Sequence, residues 1–192
     1  LYPMVEAADV LVVGPGLGQA AWGRSLLSAA MNGQQAQVWD ADALNLLAGG
    51  YATLPVGSVL TPHPGEAARL LGCSTAHVQA DRPAAARELA QRYQSVVVLK
   101  GAGSLIADPA GNLAVCCNGH PAMAGAGFGD VLGGLIGALL GQGLPAYAAA
   151  CLAVWLHARA GEQLAVQGRG MAASDLLPAI REQLEAFSPC LI

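Results

Sequence analysis

Charge is scarce in this chain of 192 residues: Asp, Glu, Lys and Arg together make 11%, where about 25% is ordinary. A formal charge of −4 with no Lys/Arg cluster removes the electrostatic footprint of a nucleic-acid binder or a polybasic membrane anchor. Cysteines number five, with no Cys-x-x-Cys and no Cys/His ligand spacing, so neither a disulfide framework nor a structural zinc site is indicated. A reducing cytoplasm fits that usage. Also missing are an initiator Met, a signal-peptide pattern, internal repeats and low-complexity linkers. The chain opens directly on Leu1-Tyr2-Pro3 and reads as one domain, 1–192, that lacks its amino-terminal part. What is abundant is apolar surface, 54% hydrophobic residues with mean hydropathy +0.46, which excludes disorder and predicts a large core.

From Pro109 to Ala158 the one formally charged residue is Asp130, a length of apolar chain that could span a bilayer. Gly141, Gly143 and Pro145 cut it in two, however, and Asn118, His120 and Gln142 place polar groups where lipid would be. Buried helices of a globular core are the better reading.

Short β-branched and aliphatic runs alternate with longer Ala/Leu patterns, the sign of a mostly parallel sheet covered by helices. Strands are predicted at Val10–Val13, Gln37–Trp39, Ser58–Leu60 and Ser95–Leu99. A hairpin of Ser104–Ala107 and Leu113–Cys117 closes around Asp108-Pro109-Ala110-Gly111-Asn112. Helical patterns run through Trp22, Leu26, Leu27 and Ala30 to a stop at Asn32-Gly33, through Ala67–Leu71, and from Ser74 to Tyr93 with the Arg residues on the outer face. Three more cover Val131–Leu140, Pro145–Gln167 and Ala172–Phe187, the last with Ser174 or Asp175 as cap.

In such sheets ligands bind beyond the carboxyl ends of the strands. There the chain places Gly125, Gly127 and Gly129 just ahead of a helix, an arrangement whose backbone N–H groups and helix dipole suit an anion. Asp130 comes next in the first turn, either a dipole partner or a base that takes a proton from a hydroxyl. Lys100, the chain's single lysine beside eight arginines, sits with Gly101 and Gly103 at a strand end, as a solvated residue or as a point charge beside a ligand. The Gly14-Pro15-Gly16-Leu17-Gly18 turn matches neither a Walker loop nor the dinucleotide fingerprint. His63 and Glu66 share a Pro-flanked loop; Asp40, Asp42 and Asn45 form a polar knot whose two carboxylates could serve a metal, while capping by Asp42 explains part of the pattern. His157 reads as a packing residue, and no cysteine, Cys190 included, has the basic neighbours of a reactive thiolate.

Five segments in order, Gly14–Gly18, Asp40–Asn45, Thr61–Glu66, Lys100–Ser104 and Met123–Leu132, resemble the ADP-dependent NAD(P)H-hydrate dehydratase family along nearly the whole chain. The resemblance implies a ribokinase-like three-layer α/β/α sandwich. It also implies ADP- or ATP-dependent removal of water from the S epimer of NADH or NADPH hydrate: the hydroxyl receives a phosphoryl group, and elimination restores the reduced nucleotide. Carried over by position, Lys100, Gly101, Ala102, Gly103, Ser104 and Gly129 would bind the adenine nucleotide. Gly16, His63 and Asp130 would contact the hydrate, and Glu66 would order a water on Mg²⁺. A homo-oligomer is expected, and many bacterial members carry an upstream epimerase domain. Two departures stand out: His120-Pro121-Ala122 where relatives usually read Asn-Pro/Ala-Gly, and Phe128 for the common Met. A small-molecule kinase of the same superfamily and a non-catalytic nucleotide-binding module are the alternative readings.

Overall fold

The computed structural model describes residues 2–166, 168 and 170–188. A short helix α1 (Tyr2–Glu6) precedes β1 (Val10–Val13), α2 (Ala21–Met31), β2 (Ala36–Trp39), α3 (Ala41–Ala48) and β3 (Val59–Leu60). Then come α4 (Pro64–Leu71), α5 (Thr75–Ala80), α6 (Arg82–Tyr93), β4 (Val96–Leu99), β5 (Ser104–Ala107) and β6 (Leu113–Cys116). The remainder is α7 (Phe128–Gly141), α8 (Ala146–Ala165) and α9 (Leu176–Phe187).

The six strands lie side by side in chain order, β1 to β4 parallel and β5 and β6 antiparallel. Right-handed crossovers between successive parallel strands that never reverse direction put all of α2 to α6 on one face. The other face must then be covered by the chain after β6, and α7 and α8 do this. Strand side chains divide accordingly. Trp39, Leu60, Val97 and Leu99 join Leu27, Leu44 and Leu89 on the first face, while Val38, Val59, Val96 and Val98 meet Ile136, Leu139 and Ala153 on the second. Each fully buried side chain of this size stabilises the fold by about 1.5–3 kcal/mol. The buried Trp39 indole is satisfied by Gln37 Oε1 at 2.8 Å, and Gln37 Nε2 donates to Ala30 O at 2.7 Å.

The apolar stretch divides as its glycines and proline predict, with α7 ending at Gly141 and α8 opening after Pro145. Glycine also sets how α7 lies on the sheet. A Cβ at Gly137 would stand 2.8 Å from Val12 Cγ2, and one at Gly141 3.6 Å from Val10 Cγ2, so the bare face of α7 settles close over β1. Helix α9 packs on α8 through Leu156, Ala160, Leu176, Ala179 and Ile180.

Several local expectations change. The helix predicted from Ser74 to Tyr93 breaks at Asp81, because Pro83 cannot donate to a preceding turn and Asp81 instead caps a new helix through Ala84 N at 2.9 Å. Its arginines do not all face outward: Arg82 turns in beneath the β4–β5 loop. The cap of α3 is Asp40, accepting from Ala41 N at 2.9 Å, and not Asp42. The Ala172–Phe187 segment divides into a 3-10 turn, Ala173–Asp175, and α9. Asp175 Oδ2 accepts from Ala172 N at 2.8 Å, upstream of α9, and neither it nor Ser174 caps that helix with its side chain. Gln167 and Cys190 lie outside the described residues.

Candidate active site

Sheet hydrogen bonding runs on past the strand ends and draws the loops together. Asp40 N donates to Val13 O at 3.0 Å, Thr61 N to Trp39 O at 3.0 Å, and Lys100 N to Pro62 O at 2.9 Å. The loops after β1, β2, β3 and β4 therefore leave the sheet edge in register. Close approach is enforced at Gly14, where a Cβ would stand 1.8 Å from Asp40 O and where φ is +128°. Only glycine fits both demands.

At the centre lies an ion pair, Lys100 Nζ to Asp40 Oδ1 at 2.7 Å, with 19% and 3% of the two side chains exposed. The single lysine is thus a partner to a buried acid 60 residues away. The amino end of α7 rests on the pair: a Cβ on Gly129 would meet Lys100 Nζ at 3.2 Å and Asp40 Oδ2 at 3.4 Å. Gly127 adopts φ +86° as the residue before α7, and Val131 N makes the first bond back to its carbonyl at 3.1 Å. The N–H groups of Phe128, Gly129 and Asp130 precede that bond and are free of intrahelical partners.

A cleft of about 490 Å³ opens on these groups. Lys100, Gly101, Ala102, Gly103, Ser104 and Gly129 all line it, so the six positions carried over as nucleotide-binding converge on one space. Its lining also includes Asn118, Gly119, His120, Pro121 and Met123 from the segment after β6, with Phe128 and His157. The other predicted positions lie outside its lining. Gly16 has φ +67° and open space around it. Asp130, one residue past Gly129, is exposed, and its carboxylate makes no hydrogen bond or ion pair with a described residue. Gly125 is exposed beside the Phe128 ring. His63 and Glu66 form a capping box on α4: His63 Nδ1 accepts from Gly65 N and Glu66 N, and Glu66 Oε2 accepts from His63 N at 2.8 Å. Glu66 Oε1 sits 3.4 Å from His63 Nε2, so both oxygens of this buried acid face His63.

The polar knot resolves into separate tasks. While Asp40 holds Lys100, Asp42 accepts from Gly18 N and Gln19 Nε2, both at 2.9 Å, and steadies the first glycine loop. Asn45 Oδ1 accepts from Arg69 Nε at 2.8 Å. His120, the departure from the family pattern, accepts from Ala122 N at 3.2 Å and caps the 3-10 turn Pro121–Met123.

Three residues that hold or line the cleft were not among the predicted site positions. Arg82 donates to the carbonyls of the Lys100 loop, and burial lowers its pKa. Glu162 on α8 accepts from Gly119 N at 2.9 Å and from Asn118 Nδ2 at 3.2 Å, and pairs with Arg159, fixing the segment after β6. The Gly119 N–H is the main reason its carboxyl is held below the ordinary glutamate range. His157 is on the cleft wall, its Nε2 2.9 Å from Phe128 O. A carbonyl only accepts, so Nε2 carries the proton, and burial lowers the imidazole pKa.

A mostly parallel sheet with an antiparallel edge and helices on both faces is the architecture of a ribokinase-like domain. The family described as NAD(P)H-hydrate dehydratase matches residues 2–182, and the chain belongs to it. The bifunctional NAD(P)H-hydrate repair enzyme of Escherichia coli is 49% identical over 179 residues, which are 92% of this chain and 35% of that protein. This chain therefore spans about a third of the length of that relative. The ADP-dependent (S)-NAD(P)H-hydrate dehydratase of Neisseria meningitidis is 42% identical, over 93% of this chain and 67% of its own length. The ADP/ATP-dependent NAD(P)H-hydrate dehydratase of Bacillus subtilis, co-crystallized with ATP/Mg²⁺, superposes with a TM-score of 0.83 at 28% identity, covering 97% of this chain and 70% of that one. Hydroxyethylthiazole kinase from Pyrococcus horikoshii, at 18% identity and TM-score 0.74, shares the fold. Among the described residues no helix is long and apolar enough to cross a membrane.

Proposed function

We propose that this chain carries out ADP-dependent dehydration of the S epimer of NADH or NADPH hydrate, returning the reduced nucleotide. The observation that carries this reading is the convergence of Lys100–Ser104 and Gly129 on one cleft in a chain of the hydrate dehydratase family.

The donor set suits a nucleotide's phosphates. Lys100 offers an ammonium, and the free N–H groups at the start of α7 add the helix dipole. Glycines 101 and 103, the latter at φ +68°, let backbone approach closely. Bound ADP supplies the phosphoryl group that turns the hydrate hydroxyl into a leaving group. Gly16, His63 and Asp130 are assigned to the hydrate; none lines the cleft, and Asp130 directly follows Gly129, which does. The Asp130 carboxylate takes the hydroxyl proton, and the Lys100 ammonium with the α7 amides offsets charge on the transferring group. Loss of phosphate together with a ring proton then restores the double bond.

Magnesium fits the protein less well. Among the described residues no three His, Cys, Asp or Glu side chains converge as a metal site, and both Glu66 oxygens already face His63. Mg²⁺ would arrive with the nucleotide phosphates. A cytoplasmic setting, a homo-oligomer and a fused epimerase domain in the longer protein complete the reading.

The test is turnover of enzymatically prepared NADH hydrate with ADP and Mg²⁺, following the near-ultraviolet absorbance of the reduced nicotinamide and the release of AMP and orthophosphate. Recovery of NADH with stoichiometric AMP is expected. A stable phosphoester product would instead identify a kinase, and nucleotide binding without turnover a non-catalytic module.

A further inference from the structure

The β4–β5 connection is four residues long, Lys100 to Gly103, and it carries most of the predicted nucleotide contacts. Short loops with two left-handed glycines have many accessible shapes, so something must select one. Among the described residues a single guanidinium is placed to do so. Arg82 Nη1 donates to Ala102 O at 2.5 Å, and Nη2 lies 3.2 Å from Leu99 O and 3.4 Å from Lys100 O. Three carbonyls within one turn of chain therefore face the same cation from the helix side.

The local sequence makes room for it. Gly101 has φ +149°, and a Cβ there would stand 2.9 Å from Arg82 Nη2 and 3.2 Å from its Cζ; any side chain would press on the guanidinium. Arg82 is itself fixed, as the first residue of α6, between the Asp81 cap and Pro83. Its buried Nε has no hydrogen-bond partner among the described residues, a desolvation cost that a residue serving only as packing would not be expected to carry.

Peptide planarity links these contacts to the cleft. In a trans peptide the C=O and the following N–H point in opposite directions. Carbonyls drawn toward Arg82 therefore send the N–H groups of the next residues the other way. Lys100 N goes to Pro62 O and Gly101 N to Ser104 Oγ at 3.3 Å. The N–H of Gly103, next after the most tightly held carbonyl, points away from Arg82. We propose that Arg82 is the positioning residue of this loop, holding its carbonyls back so that the Lys100 ammonium and the loop amides are set for a nucleoside diphosphate before it binds.

This inference rests on the reading of the loop as the ADP site, and the experiment separates the two. Wild type, Arg82→Lys, Arg82→Met, Gly101→Ala and Lys100→Met are compared for ADP affinity by calorimetry, affinity for reduced dinucleotide, amide hydrogen exchange and thermal melting. A lysine keeps the charge but cannot reach three carbonyls in a plane. Arg82→Lys and Gly101→Ala are therefore expected to weaken ADP binding about ten-fold, the equivalent of one hydrogen bond to a charged group. Exchange at Gly101 to Ser104 should quicken, while dinucleotide affinity and exchange in β2 and β4 stay at wild-type levels. In turnover the KM for ADP should rise by a larger factor than kcat falls. If Arg82→Met does not fold, the lysine and Gly101 variants carry the test. Lower melting temperatures with unchanged ADP affinity and unchanged loop exchange would make Arg82 structural glue and overturn the inference, leaving the site reading intact provided Lys100→Met still weakens ADP. Unchanged ADP affinity in Lys100→Met as well would overturn both.

Discussion

The Lys100–Asp40 pair allows binding and stability to be separated in one experiment. Lys100→Met removes the ammonium and leaves the Asp40 carboxylate, 3% exposed, without its 2.7 Å partner. Breaking a buried pair costs about 3–5 kcal/mol. Because the Lys100 side chain keeps 19% of its surface in solvent, we expect the low end, about 3 kcal/mol. Asp40→Ala removes the same pair and also the α3 cap on Ala41 N, worth about 1 kcal/mol more, so about 4 kcal/mol is expected. In the double variant no buried charge is left unpaired, and the loss should be close to that of Asp40→Ala alone, a coupling of about 3 kcal/mol. Urea unfolding with an unchanged m-value measures all four corners of the cycle. ADP affinity should behave differently: about 1.5–3 kcal/mol weaker in Lys100→Met, with no recovery in the double variant, because the phosphate partner is still gone. Additive stabilities, within about 0.5 kcal/mol, would refute the claim that the pair is a unit. Restored ADP binding in the double variant would show that Lys100 serves Asp40 and not the nucleotide.

Asp130→Asn should bind ADP as wild type does and lose about 10² to 10⁴ in kcat, the range for a general base; wild-type turnover would remove the assignment. Gly129→Ala should melt no lower than wild type, since alanine favours a helix by up to about 1 kcal/mol over glycine. Its methyl, 3.2 Å from Lys100 Nζ and 3.4 Å from Asp40 Oδ2, should nonetheless weaken ADP binding at least about ten-fold, or 1.4 kcal/mol. For pH, burial lowers the His157 pKa in the folded chain. The neutral form is then the one folding favours, and its contribution is present above the unfolded value of about 6.5 and fades as pH falls below it. Melting temperature should drop as pH falls below about 6.5 in wild type and less in His157→Gln, whose amide can still donate to Phe128 O. Equal drops would place the sensitive group elsewhere.

What the sequence disclosed was whatever is local along the chain. The β-branched runs, the Asp108–Asn112 turn and the Gly141/Pro145 break needed only propensity and periodicity, and the structure has the corresponding strands, hairpin and helix boundary. Candidate loops were legible because glycine and proline mark strand ends in any α/β sheet. Partners across the sheet were not legible. Asp40 and Lys100 are 60 residues apart, and nothing local shows that β2 and β4 each end in one half of an ion pair. One clue was available: a lone lysine in an arginine-using chain needs a particular partner, and Asp40, directly after a strand, was the acid placed to be buried. Asp42 read as the helix cap, but at Ala41 the backbone takes a strained φ of +48°, and it is Asp40 that caps α3 and pairs with Lys100.

Arg82 escaped for the opposite reason, since its surroundings looked too ordinary. An Ala/Arg/Gln segment reads as an outward helix face, and a continuous helix from Ser74 would have carried Arg82 around with it. The signal against continuity was Asp81-Arg82-Pro83, an N-cap followed by proline at the second helical position. A new helix starting there aims its first residue at whatever lies beyond the sheet edge. In this topology that is the β4–β5 loop, because α6 returns the chain to β4 and contacts both β4 and β5. Helix starts that precede a site strand by one helix length are thus where an unpredicted loop-holding side chain should be sought. In this chain the break at Asp81 converts an ordinary surface arginine into a brace behind the Lys100 loop.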